Sequence, residues 1–369
     1  MSNGKNRKPR RKESGAKQPV NVAQMLQQGQ KALEAGRPDE ALEAFVTALE
    51  LDPGSAEAHF HFGALLLDSE EFEIGIEHLQ EAQRLAPQDV RPLLLLGEFY
   101  LEEDELEEAE LYFRTAIGID PQNSFCFHYL GNLLLELGRY DEAHSSYEKA
   151  VALNPTEAVH HLGLGSVYAD QERFDEALAK FQHALTLAKD DWRIHHDMAD
   201  LLVAMGRPEE ALPHYRKTLE LDTYNVDARY GLGNALLLTN DSAGAVDAFK
   251  QSLEDGLEAP LAYIKFGIAL TLQHRAEEAR EAFLEALNLL EEEQEEGHAP
   301  ETHYELIIAE LGSGNSTNAQ DIAEQLITHG NPDPAALSEL LTDLKLLVQL
   351  PGAQDVIHIL SRQADQFVN

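Results

Sequence analysis

The residues of this 369-residue chain whose types and spacing could do chemistry gather around position 195. His195-His196-Asp197 is followed by Asp200. His196 and Asp200 are four apart, so on a helix they share a face and could hold a metal between them. No third ligand stands near them in sequence, and the adjacent pair His160-His161 has the same deficit. The one cysteine, Cys126, excludes an intrachain disulfide and on a regular helix reads as a half-buried small side chain. There is no glycine-rich phosphate loop, no Cys-x-x-Cys and no nucleophile elbow. The expectation is a non-enzymatic protein with no catalytic residue, no cofactor and no metal.

The elements that position these residues follow a strict period. Residues 90–157 hold two tandem 34-residue units: Leu96-Gly97, Tyr100, Ala109, Phe113, Ala116 and Pro121 recur as Leu130-Gly131, Leu134, Ala143, Tyr147, Ala150 and Pro155. A period of this length marks a stack of repeated supersecondary units. Residues 89–102 and 107–119 carry apolar side chains at helical spacing around a polar turn centred on Asp104. Two short helices cannot bury their apolar faces alone, so each unit needs its neighbours. Gly97 and Ala109 lack bulk where the paired helices should approach, and Phe113 fills the space beside them. Pro121 is expected to end the second helix and open the next, having no N–H to satisfy there. In eight copies the bulky position runs Phe45, Leu79, Phe113, Tyr147, Phe181, Tyr215, Phe249 and Phe283.

This pattern resembles the tetratricopeptide repeat family, whose signature W-x2-L-G-x2-Y…A-x3-F…P reads here as Leu96-Gly97, Tyr100, Ala109, Phe113 and Pro121. The family tryptophan slot has diverged to Met25, His59, Leu93, Phe127, His161, His195, Arg229 and Tyr263. The resemblance implies an all-α fold, a right-handed superhelical solenoid of tandem helix-turn-helix repeats. It also implies that the first helix of each pair lines a concave groove for a protein or peptide. At the inward positions stand His61, Arg91, His128, Tyr129, Asn132, Arg193, His196, Tyr230, Asn234 and Lys265, with Glu98, Glu102, Asp197 and Asp200 among them. A mixed polar and aromatic lining suits an extended or helical segment, and an asparagine amide can both donate to and accept from a peptide bond. The clamp that some family members use for a chaperone's C-terminal carboxylate is not kept. Asn132 matches it, but His128, Gly163 and Asp197 replace its lysine, second asparagine and arginine.

Around the eight repeats, residues 22–293, lie a basic tail at 1–20, an acidic linker at 294–300, a degenerate ninth pair at 301–330 and two capping helices at 333–369. Capping by the last two follows from the need for a polar terminal face. Their stripe of Leu340, Leu344, Leu347 and Val348 also leaves a docking role open. The tail has seven basic residues and one acid, and no apolar periodicity, so it reads as disordered. The chain has 28 basic and 66 acidic residues, leaving the remainder with 21 and 65, a charge near −44. Such a body should prefer a basic partner segment and repel nucleic acid, except through the tail. No apolar run is long enough to insert in a membrane. The overall expectation is a cytoplasmic, monomeric interaction scaffold. A regulatory or targeting subunit of a larger complex, with nuclear import through the tail, is the alternative.

Overall fold

The computed structural model describes residues 21–69, 71–295, 303–329 and 334–367, with side chains left aside at 293–295, 327–329, 334–336, 339 and 362–367. The basic tail, the centre of the acidic linker, Glu70 and the Asn331-Pro332-Asp333 break lie outside the described residues. Every regular element among the described residues is helical. The chain divides into two compact units, Met1–Pro155 and Thr156–Asn369.

The first unit contains α1 (Val22–Glu34), α2 (Pro38–Leu51), α3 (Ala56–Asp68), α4 (Phe72–Leu85), α5 (Arg91–Glu102), α6 (Leu106–Ile119), α7 (Ser124–Glu136) and α8 (Tyr140–Leu153). The second continues with α9 (Ala158–Asp170), α10 (Phe174–Leu187), α11 (Trp192–Ala204), α12 (Pro208–Leu221), α13 (Val226–Leu238), α14 (Ser242–Glu254), α15 (Pro260–Leu272) and α16 (Ala276–Glu295). It ends with α17 (His303–Ser313), α18 (Ser316–His329), α19 (Pro334–Leu346) and α20 (Ala353–Phe367). Within each unit, paired helices pack together, each second helix up to α16 packs on the next first helix, and first helices touch their successors from α3 to α7 and from α9 to α17.

The small-against-large register of the sequence is the packing register. Phe45, Leu79, Phe113, Tyr147, Phe181, Tyr215, Phe249 and Phe283 are all at most 2% exposed. A Cβ added to Gly97 would lie 2.4 Å from Cε1 of Phe113, so only glycine lets that ring lie flat against the first helix. The described turns inside the repeat pairs each place one residue in the left-handed region. Gly36, Gly138 and Gly206 supply it at φ 66–70°, whereas Asp104, Glu172, Asn240 and His274 adopt φ 58–63° with a side chain present. In the third repeat the backbone N–H of Glu105 donates to the Tyr100 carbonyl at 2.8 Å, closing the helix end. An arginine at the start of the second helix then grips the glutamate three residues on. This pair recurs as Arg37–Glu40, Arg139–Glu142, Arg173–Glu176, Arg207–Glu210 and Arg275–Glu278, at 2.6–2.7 Å.

Pro121 departs from expectation. It sits in the turn after α6, and α7 opens three residues later, where the Asn123 side chain accepts from the Phe125 N–H. A capping asparagine satisfies an end donor that a proline would only have removed. Beyond the eighth pair, α17 packs on α16 and pairs with α18. The next helix in sequence does not continue the stack: α20 packs on α18, while α19 lies on α15 and α17 and pairs with α20. Leu337, Leu340, Leu344 and Leu347 are each at most 2% exposed, while Val348 points outward. Gly352 makes the return between α19 and α20, with φ 83° and a position where a Cβ would meet Ser316 at 2.5 Å.

Candidate functional site

The candidate residues sit on the first helices, and most are engaged with neighbouring side chains, some within their repeat and some across to the next. Side chains 31 residues apart meet along these helices. The Gln30 amide lies 3.1 Å from Nε2 of His61. The Tyr129 hydroxyl bonds the Glu98 carboxylate. Ser166 lies beside Asp197, its hydroxyl donating to the Leu162 carbonyl at 3.2 Å.

In the first unit His61 stacks on Phe45, with ring centroids 5.0 Å apart, and pairs with Glu57 at 3.2 Å. Burial holds its imidazole below the ordinary range. Arg91 bridges Glu57 and Asp89, at 2.6 Å each, and lies over the Phe60 ring at 4.7 Å. The hydrogen bond from Arg91 lowers the Glu57 carboxyl. Tyr129 stacks on Phe113, and His128 meets Tyr129 and Tyr147 edge-on. Oδ1 of Asn132 accepts from the Tyr147 hydroxyl at 2.6 Å, so half of that amide is already committed to the core. Among the described residues no cation acts on Glu98. Burial raises its carboxyl, and neighbouring Glu102 raises it further.

In the second unit His196 meets Asp200 at 3.3 Å, as the sequence spacing requires. Asp200 also accepts from the Tyr215 hydroxyl at 2.5 Å. Arg193 turns its guanidinium to Asp191 at 2.7 Å. Asp197, one residue beyond His196, is pushed up to about 6 by burial. Tyr230 packs against Phe249. Asn234 is half-buried on the same face.

Lys265 does not line an open groove. It is 3% exposed, and its Nζ donates to Oδ2 of Asp343 at 2.7 Å. On the same line, the Gln349 amide donates to the Thr271 carbonyl at 3.2 Å. The first-helix face of the eighth repeat is therefore covered by α19 and the turn that follows it. The 78-residue separation has no counterpart in the repeat period, so sequence reasoning, which places Asp343 on a polar outer face, did not pair it with Lys265.

Other sequence-marked residues fall elsewhere. His160 and His161 are buried, with the His160 imidazole pushed down to about 4, mainly by desolvation. Cys126 is fully buried and its thiol is pushed up to about 11 by burial, which keeps it protonated. Trp192 is 36% exposed and borders a shallow open cleft with Lys189, Asp191 and Arg193. Among the described residues no group of three His, Cys, Asp or Glu is placed to hold a metal, and no helix is long and apolar enough to cross a membrane.

Helix pairs of this kind, stacked through a small-against-large register, define a tetratricopeptide repeat protein, and residues 202–264 match the tetratricopeptide repeat family model. Residues 2–228, more than half of the chain, match the model of the cilia and flagella-associated protein 70 C-terminal domain, and the chain belongs to that family. Among solved structures, a tetratricopeptide repeat protein from Parabacteroides merdae ATCC 43184 is 17% identical, with a TM-score of 0.53 over 68% of this chain and 98% of that one. The human IFIT1 dimer with PPP-AAAA is 18% identical, with a TM-score of 0.54 over 73% of each chain. At these identities the likeness is one of fold. No curated protein matches the chain.

Proposed function

We propose that the first-helix face of each unit is a docking surface of a non-catalytic scaffold, and that it receives an extended or helical partner segment carrying basic side chains. The supporting observation is a partition of charge. The arginines at the intra-pair turns are spent on glutamates three residues away, whereas Glu98 and Asp197 are carboxylates raised by burial, Glu98 with the Tyr129 hydroxyl on it. A carboxylate raised by burial gains most from a cation brought to it, because the cation restores what desolvation removed. The neighbouring rings of Tyr129 and Tyr230 offer flat apolar contact to the stem of a lysine or arginine. The scaffold acts as a single chain in this reading. The IFIT1 structure holds a phosphorylated RNA end, but this chain's body of about −44 opposes phosphate, and nucleic acid is not the proposed occupant.

The test is selection from a displayed random peptide library on the full-length chain. The wild type should return sequences enriched in lysine or arginine, and their binding should weaken at least tenfold with Glu98→Gln and Asp197→Asn combined. Peptides without a basic residue, or full binding by the double variant, would overturn the proposal. Asn132→Ala makes a poor probe, since it would also strand the Tyr147 hydroxyl.

A further inference from the structure

Three of the eight slots where the repeat signature carries tryptophan hold histidine, and each is faced by a second histidine on the paired helix. The ring centroids lie 4.9 Å apart for His59 and His78, 4.4 Å for His161 and His183, and 5.2 Å for His195 and His214. Two of these pairs share one detailed geometry. Nδ1 of His59 lies 2.9 Å from Nδ1 of His78, and Nδ1 of His195 lies 3.0 Å from Nδ1 of His214. In each case Nε2 of the first ring lies 3.0 Å from the backbone carbonyl six residues earlier, that of Pro53 or Lys189.

Elementary hydrogen-bond bookkeeping fixes the protons. A carbonyl only accepts, so Nε2 of His59 and of His195 carries its proton, and in the neutral ring Nδ1 is the lone pair. The proton between the rings must then belong to Nδ1 of His78 and of His214. One added proton per pair can go to Nε2 of His78 or His214, which leaves the N–H···N bond intact and charge-assisted. A second added proton has only Nδ1 of the first ring left. It would set N–H against N–H at hydrogen-bond distance and cation against cation.

The surroundings bear on the second step. Glu77 and Glu81 of α4 act on the first pair, Glu81 being gripped by Arg84 at 2.6 Å, and no charge from α2 or α5 acts on His78. Phe62 covers His78 edge-on at 4.6 Å. At the second pair Asp191 lies near His195 but is bound to Arg193, and no charge from α10 or α13 acts on His214. Desolvation holds both His78 and His214 below the ordinary imidazole range.

We infer that His59–His78 and His195–His214 are matched proton-sharing clamps, joining α3 to α4 and α11 to α12, which release when acid supplies the second extra proton. His61 and His196, on the docking face, follow on the same first helices. The inference stands on the ring geometry and is independent of the partner reading.

The experiment is a pH titration of the full-length chain with ring-15N-labelled histidine, joined to amide hydrogen exchange. Near pH 7.5, His59 and His195 should be Nε2–H tautomers, and His78 and His214 Nδ1–H tautomers. Each pair should take up two protons in separate steps at least one pH unit apart. Across the second step, protection in α3, α4, α11 and α12 should fall at least tenfold relative to α5, α6, α13 and α14. His78→Leu with His214→Leu should abolish that differential. If the double variant fails to fold, the ring-nitrogen spectra of the wild type decide the matter. The opposite tautomers, a single-step titration of both rings, or equal loss of protection in all eight helices would each overturn the inference.

Discussion

Replacing Asp343 by alanine should cost about 1–3 kcal/mol. Lys265 and Asp343 are 3% and 6% exposed, with Nζ and Oδ2 2.7 Å apart. A hydrogen bond between charged groups is worth about 1.5–3 kcal/mol, and it counts for more where both ends are out of water. The chain could hydrate the amine by undocking α19, but four buried leucines at about 1.5–3 kcal/mol each make that the more expensive route. A stack of repeats need not unfold in one step, so the suitable measurement is the local opening free energy of α15, α17 and α19 by hydrogen exchange. A penalty below about 0.5 kcal/mol would show that the ammonium reaches water, and the buried latch would be refuted.

Three further perturbations test the scaffold, each read by denaturation. Gly97→Ala places a Cβ 2.4 Å from the Phe113 ring and should destabilise by about 1–3 kcal/mol; an unchanged midpoint would mean that the third helix pair has slack. Glu172→Gly and His274→Gly remove side chains from left-handed turns at φ 58° and should each stabilise by about 1 kcal/mol, whereas a loss would assign those side chains a contact of their own. Asp197→Asn should stabilise by about 1–3 kcal/mol at pH 7.5, where burial penalises the native carboxylate. Its carboxyl, pushed up to about 6, takes a proton in the native state before the unfolded one as pH falls, so the advantage of Asn should fade from pH 6 toward 4; a constant advantage would mean the carboxylate is not desolvated.

The repeat was legible because a steric constraint is printed in residue size. Where Phe113 lies on α5, only glycine fits, and the same exchange of bulk for space recurs at Gly131 against Tyr147 and Gly165 against Phe181. The face of the first helices was legible as a set of positions, but not as a set of free groups. Whether Asn132 is open to a ligand depends on the hydroxyl of Tyr147, and Asp200 depends likewise on Tyr215. The signal was present: the two repeats with tyrosine at the bulky slot have Asn or Asp fifteen residues earlier to accept the proton. The histidine clamps were equally open to view, at a spacing of nineteen in both repeats. The Lys265–Asp343 contact was not, because α19 leaves the period and no positional rule reaches across 78 residues.

That departure changes what one scaffold position means. In the fifth to seventh repeats the first-helix face carries Ser166, Asp197, Asp200, Tyr230 and Asn234, all of them exposed or half-buried. In the eighth it carries Ile264, Lys265 and Ile268, all buried. The change is not drift of an idle surface, because a buried lysine in an apolar site is expensive unless an acid is delivered to it. Asp343 delivers that acid from a helix whose four leucines cover the surrounding isoleucines. The eighth repeat thus already has its occupant, and that occupant is an amphipathic helix whose Asp343 is matched to the lysine beneath it. Under the proposed function, a partner on the second unit finds open positions only upstream of α15, where the floor is acidic and the matching charge on the incoming segment is positive.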